Sequence, residues 1–335
     1  VTAAVGTAAR RLVTLDDVRA AAARLAGRVH RTPVLRQGGL GAAWGVRLDL
    51  KAELFQRTGS FKLRGALNAV LTLPPAERAR GVITLSAGNA GAAVACAAAC
   101  VGVPGTVVMP ATAVPAKIAA CRAYGAEVVL TDGDLLETYL ATVARTGRVP
   151  VHPFDDPEVV AGTGTVGLEI AEDVPDAEVV LVPVGGGGLV SGVATALAAL
   201  APGTRVIGVE PETADAMSRS LQAGAPVRLP GARSVADGLA APMTGQVTVD
   251  HVQAHVERVV RVADEDILRA LALAVTRTKL LLEPSAAAPL AALMTGVLEL
   301  PPGTRVVSVA SGGNVDLALF GRLPTPEPTH EREVP

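Results

Sequence analysis

The chain is 335 residues long and carries 30 Lys and Arg against 32 Asp and Glu. That near balance argues against nucleic acid or an anionic membrane as a partner, and an aromatic content of 2% leaves little to stack on bases. A chain of this length can bury a large core and is most often divided into two lobes.

The N-terminal segment Val1 to Arg11 lacks the apolar stretch of a signal peptide, so secretion is not expected. Thr14-Leu15-Asp16-Asp17 reads as a capped helix start with acids in the first turn, running to about Gly27. Val46 to Leu50 alternates apolar and polar, as a half-buried strand does. Gly59 and Ser60 then make a turn, and a helix begins near Lys62. From Gly81 to Ala116 there is no charge, but Asn89, Gly102, Pro104, Gly105 and Pro110 interrupt the run, so a buried strand–helix–strand fits better than a membrane span.

Alternation of short apolar runs with alanine-rich helices continues from there. The pattern predicts strands at Val82–Leu85, Thr106–Met109 and Val128–Leu130, and helices at Ala90–Val101, Pro115–Tyr124 and Leu135–Arg145. After a lull around 150–156 it predicts helices at Gly162–Glu172, Leu189–Leu200 and Glu212–Gln222, with strands at Val179–Val184 and Arg205–Val209. A loop-rich stretch from Gly224 to Gln246 comes next. Strand Val259–Val262, helices Glu265–Thr278 and Ser285–Leu298, strand Val306–Val309 and helix Val315–Phe320 close the pattern. Repeated βα units imply an α/β fold with mostly parallel sheet and helices on both faces. The Pro/Glu-rich end is expected to be a disordered tail.

Cysteines 96, 100 and 121 form no disulfide or zinc pattern, so free buried thiols in a reducing cytoplasm are expected. Lysines are few: Lys51, Lys62, Lys117 and Lys279. Lys62 stands out because a cation is disfavoured at a helix N-terminus, and the same repulsion favours the neutral amine that a nucleophile needs. An ordinary solvated lysine is the plain alternative.

Three further segments lie where an α/β sheet binds ligands, beyond the carboxyl ends of strands. Gly185-Gly186-Gly187-Gly188-Leu189 offers bare backbone amides at a helix start, a cradle for a phosphate. It is neither a Walker loop nor a Rossmann fingerprint, since the residues that either would need next are absent. Ser86-Ala87-Gly88-Asn89-Ala90-Gly91 could receive an anion, or be a capped helix. Ser311, between the last strand and helix, could meet a ring nitrogen or serve as a cap. A lysine, a phosphate cradle, an anion loop and a strand-end hydroxyl together suggest pyridoxal 5′-phosphate.

In chain order, Arg31-Thr32-Pro33, Gly59-Ser60-Phe61-Lys62-Leu63-Arg64-Gly65-Ala66, Ser86-Ala87-Gly88-Asn89, His152-Pro153-Phe154-Asp155-Asp156, the tetraglycine, Gly208-Val209-Glu210-Pro211, Ala236-Asp237-Gly238-Leu239, Glu283-Pro284-Ser285 and Ser311-Gly312-Gly313-Asn314 carry a family likeness. From about Thr14 to Phe320 the chain resembles the fold-type II pyridoxal-phosphate enzymes, nearest the serine/threonine dehydratases, with serine racemase as a near relative. The resemblance implies a two-lobed, three-layer αβα fold like the tryptophan synthase β chain. Residues 1–55 and 156–322 would form the large lobe, 56–155 the small lobe and 323–335 the tail. Lys62 would be the Schiff-base lysine and the base at Cα, with Phe61 against the ring and Asn89 on its phenolic oxygen. Gly185, Gly186, Gly187, Gly188 and Leu189 would hold the phosphate, Ser311 would face the pyridine nitrogen, and Glu283 would lie near the ring. Ser86, Ala87, Gly88, Asn89 and Ala90 would grip the substrate carboxylate.

The implied reaction is β-elimination of L-threonine, L-serine or a related β-hydroxy amino acid to a 2-oxo acid and ammonia. A hydroxyl cannot hold the pyridine nitrogen protonated, which favours expelling a β-substituent over holding charge on the ring. Racemases of the family carry a serine at the position of Ala87, and alanine exchanges no proton. Relatives bind a cation through residues matching Glu210 and Ala214, but here Ala216 replaces a third oxygen ligand, leaving a weaker, potassium-like site. β-Replacement, racemisation and a non-catalytic binder of phosphorylated ligands are the alternatives. A homodimer is the family's habit.

Overall fold

The computed structural model describes residues 11–325. Among these the apolar runs become ten strands: β1 (Val34–Arg36), β2 (Arg47–Ala52), β3 (Val82–Leu85), β4 (Gly105–Pro110), β5 (Glu127–Thr131), β6 (Val149–Pro150), β7 (Val179–Pro183), β8 (Arg205–Pro211), β9 (Arg258–Val262) and β10 (Arg305–Ala310). They build a six-stranded sheet, ordered β1-β2-β10-β7-β8-β9, and a four-stranded sheet, ordered β5-β4-β3-β6. Only the edge pair β1–β2 is antiparallel; the other pairings are parallel and are spanned by helical crossovers. The α/β class with mostly parallel sheets expected from the sequence is the class observed.

Strands buried on both faces explain the unbroken apolar runs. Along β7, Val179 and Leu181 enter one core with the helices Asp264–Thr278 and Pro284–Met294. Val180 and Val182 enter the opposite core with the helices Gly188–Leu200 and Pro157–Asp173. In the smaller sheet Val82 packs with Leu63, Leu67 and Val70 of the helix Lys62–Thr72. Burial of each such leucine contributes roughly 1.5–3 kcal/mol. On the same face, further along β4, Val107 and Met109 approach Gly91 of the helix Asn89–Val101 and meet Cys121 and Ala126.

Helix Pro157–Asp173 joins the two sheets, and its glycines set how closely. A Cβ on Gly162 would stand 2.5 Å from the carbonyl oxygen of Arg64, so the backbone of the Lys62 helix lies directly on it. On its other side a Cβ on Gly192 would meet the amide of Gly164 at 2.4 Å. The lysine helix, the linking helix and the helix after the tetraglycine therefore stack as one layer.

Several elements depart from the pattern. The edge strand β1 and the short helices Gly38–Ala43 and Pro75–Ala79 carry no period long enough to read. A helix at Gln246–His255 directly succeeds the loop-rich stretch, where none was expected. It starts after Gly245 and so lacks a capping side chain of its own. Asp155 supplies one from 93 residues away, its Oδ1 accepting from the Thr248 amide at 3.3 Å. Glu212–Gln222 splits into a 3-10 turn, Glu212–Ala214, and a helix, Ala216–Ala223. The expected helix at Val315–Phe320 is a 3-10 segment at Leu317–Arg322, and Ser285–Leu298 stops at Met294. Thr14 caps Leu15–Leu25 as expected, in a reciprocal box with Asp17.

The cysteines are free thiols, Cys96 and Cys121 buried and Cys100 half-buried. Among the described residues no helix is long and apolar enough to cross a membrane. Residues 1–10 and 326–335, which include nearly all of the segment judged for a signal peptide and most of the expected tail, lie outside the described residues.

Candidate active site

Lys62 is the first residue of its helix, and the turn before it is pinned to the end of β10. The Phe61 amide donates to the Ser311 carbonyl at 3.0 Å, the Gly313 amide donates to the Gly59 carbonyl at 2.9 Å, and Ser60 bridges Gly312. Gly59 has φ +72°, and a Cβ there would strike Asn314 Oδ1 at 2.3 Å. Glycine is required on both counts. This stitching brings Phe61, Lys62 and the buried Ser311 together.

The Lys62 amine donates to the Pro153 carbonyl at 3.0 Å and lies 5.0 Å from the centre of the Phe61 ring. Burial lowers its pKa to about 8, against the pull of Glu283. The sequence argument for a neutral amine invoked the helix N-terminus; in the structure, desolvation is the larger cause.

Glu283 stands at the N-cap position of the helix Pro284–Met294 and is only 4% exposed. Burial raises its pKa to about 7; Asn89 opposes this, the nearby Asp237 adds to it, and Lys117 and Lys62 oppose it weakly. Asn89 begins the helix Asn89–Val101 beyond β3, and its Nδ2 donates to both carboxylate oxygens of Glu283, at 3.0 and 2.9 Å. Its Oδ1 accepts from Asn314 Nδ2 at 2.9 Å, which also donates to the Thr58 carbonyl. Glu283, Asn89 and the Lys62 turn are thus one hydrogen-bonded chain. The rest of the anion loop lies beside Asn89: Ser86 Oγ accepts from the Gly88 amide at 3.2 Å, Ala87 stands between them, and Ala90 is buried.

Tetraglycine Gly185–Gly188 joins β7 to its helix. Among the described residues no backbone carbonyl accepts from the amides of Gly185, Gly186, Gly187 or Gly188, and Leu189 anchors the turn in the core. Gly187 has φ +94°, and a Cβ there would meet Met217 Cε at 2.5 Å. The ring of Phe154 covers Gly186, where a Cβ would lie 2.3 Å from its Cδ1. Pro153, which holds the Lys62 amine, directly precedes Phe154, which touches Gly186 and Gly188. Amine and cradle therefore meet across two adjacent residues.

Glu210 and Ala214 lie beside this loop, next to Met217, whose Cε packs against Gly187. Both carboxylate oxygens of Glu210 are taken by helix-start amides, Met217 at 3.1 Å and Ser218 at 2.9 Å. Burial raises its pKa to about 7. Ala214 is buried in the 3-10 turn. Among the described residues no group of three or more His, Cys, Asp or Glu is arranged to hold a metal.

A comparison with family profiles decides what this arrangement belongs to. The profile described as "Pyridoxal-phosphate dependent enzyme" matches residues 25–312. The chain belongs to that family. It is similar to an L-threonine ammonia-lyase of Thermotoga maritima, 42% identical over 315 residues that cover 93% of this chain and 78% of that one. It is 43% identical to a phenylserine dehydratase of Ralstonia pickettii, over 92% of this chain and 96% of that one. The structure of maize serine racemase superposes with a TM-score of 0.89 at 36% identity, covering 93% and 97% of the two chains.

The residues present fit the family's cofactor. Four amides without backbone acceptors at a helix start suit a dianion, and a part-desolvated amine suits carbonyl chemistry. The buried hydroxyls of Ser60 and Ser285, close to this centre, have no hydrogen-bond partner among the described residues. Sequence reasoning missed the supports: Asp155 and Thr248 behind the cradle, and the Lys117–Asp237 pair. The last could have been suspected from the scarcity of lysine, since Lys117 is one of four.

Proposed function

We propose that this chain is a pyridoxal-phosphate-dependent ammonia-lyase that eliminates the β-hydroxyl of L-threonine, L-serine or a related β-hydroxy amino acid. The observation that carries it is the meeting of the Lys62 amine and the tetraglycine across Pro153 and Phe154. Gly185 to Leu189 would hold the phosphate, Phe61 and Asn89 would flank the ring, and Ser311 would face its nitrogen. The cofactor, when bound, supplies a carbonyl for amines and an electron-withdrawing ring that acidifies the substrate Cα–H.

Lys62 would hold the cofactor, and its Nζ would be the base that takes the Cα proton. An amine brought down to about 8 is far closer to working pH than a solvated lysine. The amides of the Ser86–Ala90 loop orient the substrate carboxylate. Ala87 has no proton to give to the opposite face, which favours elimination over racemisation. Net, the hydroxy amino acid yields a 2-oxo acid and ammonium; the water lost in elimination is regained in hydrolysis. A homodimer, a cytoplasmic setting and a weak cation site at Glu210 and Ala214 belong to the same proposal, from family likeness and free thiols. Assaying a panel of L-threonine, L-serine and phenylserine for ammonia and 2-oxo acid tests it. Release of both without an added nucleophile supports elimination. Products formed only with an added nucleophile favour β-replacement, and a change of optical rotation without ammonia favours racemisation.

A further inference from the structure

Lys117 lies in the first turn of the helix Pro115–Ala123, which crosses from β4 to β5 in the smaller sheet. Asp237 opens the 3-10 turn Asp237–Leu239, in the long connection between β8 and β9 of the larger sheet. Their side chains meet at 2.5 Å, Nζ to Oδ2, across 120 residues of sequence. Both are accessible, the side chains being 28% and 65% exposed.

The two residues after Asp237 make the contact more than a surface pair. Leu239 packs against the first cradle glycine: a Cβ on Gly185 would lie 3.0 Å from Leu239 Cα. Gly238 faces Ser285 Oγ at 2.7 Å and Glu283 Oε1 at 4.0 Å from where its Cβ would stand. Three consecutive residues therefore touch the small-sheet half, the Glu283 centre and the phosphate cradle in turn. Charges on Lys117 and Asp237 both reach Glu283.

We propose that the Lys117–Asp237 pair is a clamp across the cleft, in which Lys117 and Asp237 act as positioning residues that press Gly238 and Leu239 onto the cofactor and substrate. An exposed pair of this kind is weak and screened by salt, so it can open and close with each turnover. The inference rests on the proposed function of the site.

The test compares L-threonine kinetics of the cofactor-loaded wild type with Lys117→Met, Asp237→Asn and the charge-swapped double variant Lys117→Asp/Asp237→Lys. Each single variant is expected to raise KM about three- to fivefold, more than it lowers kcat, with the cofactor absorbance retained. The swap should bring KM back to within about twofold of wild type, and added salt should raise KM in the wild type and swap only. Unchanged KM in the single variants, or a swap no better than either single variant, overturns the clamp while leaving the proposed activity intact. A fall in kcat and cofactor absorbance with KM unmoved also overturns it, since that is what a merely structural pair would give. A wild-type chain that releases no ammonia from any amino acid overturns the activity and the clamp together.

Discussion

Two groups of charges lie on opposite sides of one helix, and they are treated in opposite ways. Behind the helix, Arg64 holds Glu53 through two bonds at 2.9 and 2.8 Å and Glu169 through two more at 2.7 and 2.9 Å. Lys51, fully buried, meets Glu169 at 2.7 Å and the Thr32 carbonyl at 2.6 Å. Burial alone would push Glu53 up and Arg64 down, but their mutual charge and hydrogen bonds outweigh it, leaving Glu53 lowered and Arg64 raised. In front, two residues away, Lys62 and Glu283 are compensated only in part, by each other and by Asn89, and burial prevails: one falls to about 8 and the other rises to about 7. Complete pairing fixes ionisation and shape; incomplete pairing leaves protons that can move near neutral pH.

The largest break in the contrast is Lys62→Ala. It should remove covalent cofactor attachment and lower elimination by roughly 10³-fold or more, with thermal stability near wild type, as steady-state kinetics and melting curves would show. Arg64→Met does the reverse. It leaves buried Glu53 without its cation and Glu169 with Lys51 alone, and should cost about 3–5 kcal/mol of stability, measured by urea unfolding. Equal loss of activity and stability in both variants would erase the distinction.

A smaller effect concerns pH. Glu283 has its folded pKa raised above the unfolded value, so the folded state holds the proton more tightly. Its contribution to stability is present below about pH 4.5 and is lost as pH rises toward about 7, a decline of roughly 3 kcal/mol in the cofactor-free protein. Glu210 acts with the same sign. Glu283→Gln should therefore remove that decline between pH 5 and 7 in unfolding curves and leave the separate one from Glu210. Smallest is Arg31→Ala, at the exposed end of the paired cluster, where Arg31 meets Glu172 at 2.7 Å and Asp173 at 2.5 Å. Half-exposed and screened, that end should contribute about 0–1 kcal/mol, readable as a shift of a few degrees at most in Tm.

Much of the cleft was legible in the sequence because its parts announce themselves locally. Gly59-Ser60, between the alternating Val46–Leu50 and a helical run, mark the turn that presents Lys62, four successive glycines mark the cradle, and Asn89 sits at a strand–helix junction. What was not legible is held by pairing across distance. Asp155 caps a helix 93 residues away, Arg64 meets Glu169 across 105, and Asn89 meets Glu283 across 194. None of these leaves a period or a spacing in the chain. The same holds for the buried Glu210 carboxylate, which accepts the amides of Met217 and Ser218 at a helix start seven and eight residues on.

The central claim is that one amine of four carries the chemistry. Sodium borohydride treatment of the protein loaded with pyridoxal 5′-phosphate, then peptide mass spectrometry, reads this directly. The account predicts a pyridoxyl adduct on Lys62 and none on Lys51, Lys117 or Lys279. An adduct on any of those three instead, or no adduct at all, would contradict it.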